Sequence, residues 1–391
     1  MIEIDNKCTS CGACVAACPK HCIVIAANDR GFLYPRIETD RCVNCHACEM
    51  ICHLNRNVKN DFKSEAYAVK VNNDAYLRKS TSGGAFSALA EHVLNNGGVV
   101  YGCAYVDHLK AKHIRIETLK DLHLLNGSKY VQSDCSDSFK LVKEDLKLKR
   151  YVLFSGTPCQ VSSLRSFLGK DDDNLITVDI VCHGVTSQAF FDKYIEWYEK
   201  KNNIIVNNYD FRSKQNAKWS LAGICYGEDR NTKERIEKKI FYYNEYYYYY
   251  FLKGLAYRES CYQCKYANMD RPGDITLGDM WGAESLNLGY DTAEGCSLFI
   301  ANSEKGLRLL EEINVTKKKV TTEQAVKLNK QLTTSSKIPD DYLSIIDFIS
   351  SAEAHRIDQY FRKHYMKERL MAFVKYHMPV RLKTMLKQIQ K

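Results

Sequence analysis

Cys8-Thr9-Ser10-Cys11-Gly12-Ala13-Cys14-Val15-Ala16-Ala17-Cys18-Pro19 is matched in spacing by Cys42-Val43-Asn44-Cys45-His46-Ala47-Cys48-Glu49-Met50-Ile51-Cys52. That spacing lets one tight loop aim three thiolates at a single iron–sulfur cubane while the fourth reaches across to a second cubane. One [4Fe-4S] cluster is therefore expected on Cys8, Cys11, Cys14 and Cys52, and its neighbour on Cys42, Cys45, Cys48 and Cys18. Zinc is the weaker reading, because zinc sites usually show two separated cysteine pairs. His53 stands where Pro19 follows the first run, a change that bears on cluster potential rather than on ligation.

The rest of the chain agrees with a metal-bearing protein. Its 391 residues hold seventeen cysteines, too many for an ordinary protein of a reducing compartment unless they bind metal or do chemistry. With 45% hydrophobic and 26% charged residues it is globular, large enough for two or three domains. No apolar run spans a bilayer, and Met1-Ile2-Glu3-Ile4-Asp5 lacks the features of a secretory leader. A cytoplasmic location is expected. The net charge of +9 is concentrated: residues 356–391 hold ten Lys and Arg against Asp358 and Glu368, so the body is almost neutral. A nucleic-acid partner is not expected from such a body.

Composition changes at Asn55–Asp61, the first boundary. Beyond it strands are expected at 65–71, 99–105, 151–155 and 176–182, alternating with helices at 83–96, 161–168 and 187–201, the pattern of an α/β domain. Shorter strand-like pieces fill 206–240, an aromatic helix covers Tyr246–Phe251, and a helix at 303–313 closes the domain. Lys317-Lys318-Lys319 reads as linker, and helices follow from about 341. The expected division is 1–60, 61–316 and 317–391: a small two-cluster domain, a mixed α/β domain, and a linker with a basic helical tail.

Four more cysteines stand in distinctive contexts: Gly156-Thr157-Pro158-Cys159-Gln160, Val181-Cys182-His183-Gly184 and Cys261-Tyr262-Gln263-Cys264. Cys159 and Cys182 follow strands, and Pro158 stiffens its turn. Cys159, Cys182, Cys261 and Cys264 suffice for a third cubane. A redox dithiol at Cys261 and Cys264, or structural zinc, stands as the alternative on the residues alone.

Residues 1–60 resemble a bacterial-type two-cluster ferredoxin domain. Lys79-Ser80-Thr81-Ser82-Gly83-Gly84-Ala85-Phe86, Gly127-Ser128-Lys129-Tyr130-Val131-Gln132-Ser133, Leu153–Gln160 and Arg271–Gly282 resemble, over about residues 65–315, the coenzyme F420 hydrogenase/dehydrogenase beta-subunit family. The resemblance implies an iron–sulfur flavoprotein with FAD and a [4Fe-4S] cluster on Cys159, Cys182, Cys261 and Cys264. It also implies that FAD lies near Ser80, Ser82, Gly83 and Gly84, where a helix N-terminus suits a phosphate, with the Lys129 cation beside it. No GxGxxG follows a strand, so a standard dinucleotide fold has no support.

The expected activity is oxidoreductase: electrons from ferredoxin or another redox protein pass through the clusters to FAD and then to an organic acceptor, the deazaflavin coenzyme or another small molecule. The alternative is a non-catalytic subunit that delivers electrons to a partner. Other features receive plainer readings. Tyr246–Tyr250 is a packed helix face with an exposed rim, and Arg212, Lys214 and Trp219 are candidate substrate contacts. His183 is read as making a structural hydrogen bond near the cluster, with protonation of a reduced substrate as the alternative, and Cys22, Cys103, Cys135, Cys225 and Cys296 as buried small hydrophobes. The tail from Tyr360, broken by Pro379, packs on its own domain or docks on an anionic membrane or a partner protein.

Overall fold

The computed structural model describes residues 4–56, 62–215 and 219–378. Its strands are β1 (Ile23–Ala27), β2 (Leu33–Ile37), β3 (Glu65–Val71), β4 (Val99–Val106), β5 (Lys110–Ile116), β6 (Val152–Gly156) and β7 (Leu175–Ile180). Then follow β8 (Ile204–Asp210), β9 (Ala222–Asp229), β10 (Arg235–Phe241), β11 (Ile275–Asp279), β12 (Ser297–Ala301) and β13 (Val315–Val320). The main sheet has eight strands in the order β13-β3-β12-β11-β7-β6-β4-β5. Its centre, β11-β7-β6-β4, is parallel, and the flanking pairs are antiparallel. The fold is mixed α/β, as expected from strands that alternate with helices.

The parallel centre follows from its sequence. Val152, Leu153 and Phe154 of β6 are wholly buried, as are most residues of β7, the unalternated apolar pattern of strands covered on both faces. Thr157 caps helix Pro158–Leu168 in a reciprocal box with Gln160, and Pro158 occupies the first turn, where its missing N–H costs nothing. The helix returns the chain to β7, beside β6.

Two expectations change. Lys317–Lys319 is not linker but the middle of edge strand β13, paired antiparallel with β3. Its alternating exposure leaves the lysines in solvent while Val320 is buried, so a polar run hides a strand whose bonding partner lies some 250 residues away in sequence. The tyrosine helix Tyr246–Leu252 also has no rim, for Tyr246 to Tyr250 are all buried. Phe190, Phe191 and Tyr194 pack on one side of it, Tyr130 and Phe211 on another, and Phe361 and Tyr365 on a third. Among the described residues the hydroxyls of Tyr246, Tyr248 and Tyr250 have no hydrogen-bond partner. Tyr248→Phe removes an unpaired buried hydroxyl, and we expect it to leave stability unchanged or raise it by about 1 kcal/mol in urea unfolding.

The β1–β2 hairpin and the two cysteine runs form a small unit set against the body. Helix Ala13–Ala17 packs on helices Ser136–Lys147 and Pro158–Leu168. Cys135 Sγ donates to Cys11 O at 3.3 Å, Gln132 Nε2 to Thr9 O at 3.1 Å and Ser166 Oγ to Ile51 O at 2.6 Å. Gly12 has φ +79°, and a Cβ there would lie 2.5 Å from Ser136 Cβ, so only glycine permits this approach.

The tail helices Tyr342–Ser351, Ala354–His364 and Met366–His377 lie over the tyrosine helix and β10. Arg369 Nε donates to Tyr243 O at 2.7 Å, which ties the last helix back to the body. Met366, Leu370, Met371 and Val374 nevertheless stay exposed. The break at Pro379 and the helix expected beyond it lie outside the described residues. Among the described residues no helix is long and apolar enough to cross a membrane.

Candidate cluster and cofactor site

The two cysteine runs enclose two small cavities, and each is lined by the set that the crossed pattern requires. Cys8, Cys11, Cys14 and Cys52 line one, and Cys18, Cys42, Cys45 and Cys48 line the other. Helix Ala13–Ala17 carries Cys14 and ends at Cys18, so one turn of chain sends one thiol to each cavity. Each set has one buried thiol, Cys14 and Cys18, and they differ at Cys45, which is open to solvent. Cys22 Sγ lies 3.4 Å from Cys18 Sγ, a fifth thiol beside the second set that spacing alone does not reveal.

A far larger cavity of about 900 Å³ opens at the carboxyl ends of β6, β7 and β11, where open α/β sheets generally bind ligands. Cys159 begins the helix after β6, Cys182 lies two residues beyond β7, and Cys261 and Cys264 arrive on the short helix Glu259–Tyr262 and its exit. All four line the cavity. Burial, aided by neighbouring thiols of the set, pushes the Cys159 thiol up to about 12 and the Cys261 thiol up to about 11. Cys8 is likewise pushed up to about 11, first by burial.

Such sets fit an iron–sulfur core. Several sulfurs converge where burial opposes their ionisation, and a cationic core supplies the charge that lets them ionise together. The first set adjoins the third, for Thr9, Ser10 and Leu54 line both cavities. The charge of Cys11 acts on Cys159, and Cys135 and Tyr266 each feel both thiols. His53 is 1% exposed, with Nδ1 2.5 Å from Tyr266 Oη and Nε2 3.0 Å from Thr9 Oγ1. The residue that departs from the first run is therefore a link in the wall between two cysteine sets.

Ser80, Ser82, Gly84 and Lys129 line the same large cavity, opposite the thiols in sequence origin but on one continuous wall. Ser80 Oγ meets Ser87 Oγ at 3.1 Å and Ser82 Oγ donates to Cys296 O at 2.8 Å, so what the loop leaves free toward the cavity is backbone. Gly84, at φ +83°, starts helix Ala85–Asn95. Gly83 is not on the wall. It lies against the backbone of β3 and β12, where a Cβ would overlap Val69 O and Ser297 N and lie 2.9 Å from Cys296 C. Lys129 Nζ donates to Asn126 O at 2.6 Å and Leu124 O at 3.1 Å, and burial holds its ammonium below the usual lysine range.

The other candidates divide. Arg212 pairs with Asp279 at 2.6 Å and lies 4.9 Å over Trp281, whose ring stacks on Trp219 at 4.7 Å, a rigid charged and aromatic wall. Lys214 donates to Leu77 O at 2.9 Å and to Ser82 O, and so holds the loop rather than facing the cavity. The His183 ring is exposed at the cavity, and its carbonyl, not its ring, accepts a bond from Ser336 at 2.6 Å. Cys22, Cys135, Cys225 and Cys296 are buried as expected, whereas Cys103 is half-buried on the cavity wall. The sequence did not single out His113 and Gln160, which share a polar network on that wall through Ser133, nor Gln132, whose side chain bonds Thr9 and Arg258. Gln160 Nε2 reaches Ser133 Oγ at 3.0 Å, and Ser133 Oγ lies 3.1 Å from His113 Nδ1. The sequence signals Gln132 only by its place three residues after Lys129.

Residues 149–327 match the family described as the C terminus of the coenzyme F420 hydrogenase/dehydrogenase beta subunit, and residues 7–55 match the 4Fe-4S dicluster domain. The chain is 30% identical over 104 residues to the DNA-directed RNA polymerase subunit Rpo3 of Methanosarcina acetivorans. That match covers 27% of this chain and spans about a third of the length of the curated relative, 34%. Among solved structures it is similar to a chain of the F420-reducing [NiFe] hydrogenase complex from Methanosarcina barkeri, with a TM-score of 0.42 and 13% identity over 79% of this chain and 92% of that one. Two family models thus match within one chain, the 4Fe-4S dicluster domain near its N-terminus and the C terminus of the coenzyme F420 hydrogenase/dehydrogenase beta subunit over its middle.

Proposed function

We propose that the chain is an oxidoreductase that takes electrons from a ferredoxin-type donor through three [4Fe-4S] clusters to FAD, and passes them to an organic acceptor in the large cavity. One observation carries the reading: Cys159, Cys182, Cys261 and Cys264 meet on the cavity that Ser80, Ser82, Gly84 and Lys129 also line, with the first set adjoining it. The set that includes the exposed Cys45 then faces the donor, the Cys8 set relays inward, and the third set stands at the cavity. A bound flavin would exchange one-electron traffic for two-electron chemistry. Toward it the chain offers the unpaired first-turn N–H groups of helix Ala85–Asn95 for a phosphate and the Lys129 ammonium as a fixed cation. The Trp281 and Arg212 wall would orient the acceptor and exclude water.

Anaerobic purification followed by iron, sulfide and released-flavin analysis tests this. About twelve iron atoms and one FAD per chain are expected, the content of three cubanes and one flavin. About eight iron atoms without flavin would reject the third cluster and the enzyme together. The exposed stripe Met366, Leu370 and Val374, beside Lys363 and Lys367, favours a second reading as an electron-delivering subunit that docks a protein partner. That reading predicts reducible clusters but no turnover by the purified chain with dithionite and small acceptors.

A further inference from the structure

Arg258 is an anomaly in the wall between the two domains. It is 1% exposed, yet every acceptor it meets is neutral. Its Nε and Nη2 donate to Gln132 Oε1 at 3.1 and 2.9 Å, Nη1 to Cys8 O at 3.3 Å and Nη2 to Leu33 O at 2.6 Å. The guanidinium lies 4.4 Å from the Tyr34 ring and 5.2 Å from the Phe32 ring. The adjoining carboxylate, Glu259, is taken by Arg30 at 2.8 Å. Among the described residues no carboxylate is within ion-pair distance of Arg258. A buried charge without a counter-charge is costly, and proteins rarely keep one that nothing balances.

Arg258 also touches the chain at two of the cysteine sets. It holds the carbonyl of Cys8 and stands three residues before Cys261, at the N-terminal boundary of helix Glu259–Tyr262. Its own carbonyl accepts from Cys261 N at 2.9 Å, and Arg258 lines the cavity of the third set. The cavity of the Cys18, Cys42, Cys45 and Cys48 set does not include it. A cubane held by four thiolates is an anion whose negative charge grows when it accepts an electron, and net charge and nearby donors set its potential.

Resting on the three-cluster reading above, we propose that Arg258 is the shared counter-charge of the first and third clusters, a positioning residue that eases the entry of an electron into both. The step it favours is one-electron reduction of each cluster in turn by the donor protein, which is oxidised by one electron. No proton or bond changes hands.

The test is a reductive titration of the fully loaded chain followed by electron paramagnetic resonance, with iron counted on the same sample. Arg258→Gln is expected to move two of three midpoints to more negative potential and leave the solvent-facing cluster unmoved, and Arg258→Lys to restore most of the shift. Gln132→Glu guards against a folding failure. It is isosteric, gives the guanidinium a carboxylate, and is expected to move the same two midpoints the same way with Arg258 in place. Full iron with unmoved midpoints in these variants, or an equal shift of all three clusters, overturns the proposal. If the parent chain holds about eight iron atoms, the third cluster is what fails. Arg258 is then judged on the Cys8 cluster alone, and an unmoved midpoint there overturns it.

Discussion

Replacing Cys159 by serine is expected to lower bound iron by about a third, about four atoms of about twelve, because three cubanes share the metal equally. The side chain sits at the start of helix Pro158–Leu168, with Sγ 3.1 Å from Thr157 Oγ1. Serine leaves the Thr157 and Gln160 capping box and Pro158 in place, so the helix and β6 persist and the change is confined to the thiol. Iron and sulfide should fall together, the far-ultraviolet circular dichroism should stay, and the visible absorption of the remaining clusters should keep its shape at about two thirds of its height. Undiminished iron would remove Cys159 from the ligand set and return Cys261 and Cys264 to the dithiol reading.

Substitution of Gly83 by alanine is expected to destabilise the chain by about 3 kcal/mol or more, the upper range of overpacking. The added methyl would overlap the backbone at Val69 O and Ser297 N at once, and Gly83 O itself accepts from Val71 N at 2.8 Å. Neither strand can yield without breaking the pairing of β3 with β12. Gly97→Ala is the control: φ is +72° there, but nothing lies within 4 Å of the added atom, so only the backbone conformation is penalised, about 1 kcal/mol. Urea unfolding of both variants decides the matter. Equal losses would mean that the close approach at Gly83 has slack. Retained stability with lost flavin would mean that Gly83 serves the cofactor directly.

The cysteine sets were legible because their chemistry demands local spacing. Eight thiols in two short runs already imply the crossed pairs that line the two cavities. The parallel centre was legible too, for β6 and β7 are mostly apolar and buried, with a capped helix between them. What escaped notice depends on distant chain. β13 carries lysines at three successive positions, and only its pairing with β3 makes it a strand. The tyrosine helix has no polar face to betray its orientation, since neighbours from three segments enclose it. Gly83 looked like a phosphate loop because glycine before a helix has two physical uses, and the sequence does not say which backbone will approach it. Arg258 had no motif at all: its acceptors lie at Cys8, Leu33 and Gln132, more than a hundred residues upstream.

The lysine-rich margin of the main sheet also bears on how the protein behaves in a crowded solution. An open strand edge is a template for the strand of another molecule, and natural sheets blunt it with charge. Lys317 and Lys319 on β13 are held by Glu311 and Glu65 at 2.7 Å each. At the opposite margin Lys112 of β5 pairs with Asp137 at 2.9 Å, Lys110 pairs with Asp192, and a short bridge to Asp134 covers part of the strand. Both borders of the sheet are thus closed to further growth. Residues that resemble a flexible connector in the sequence protect the protein against self-association through its widest β surface.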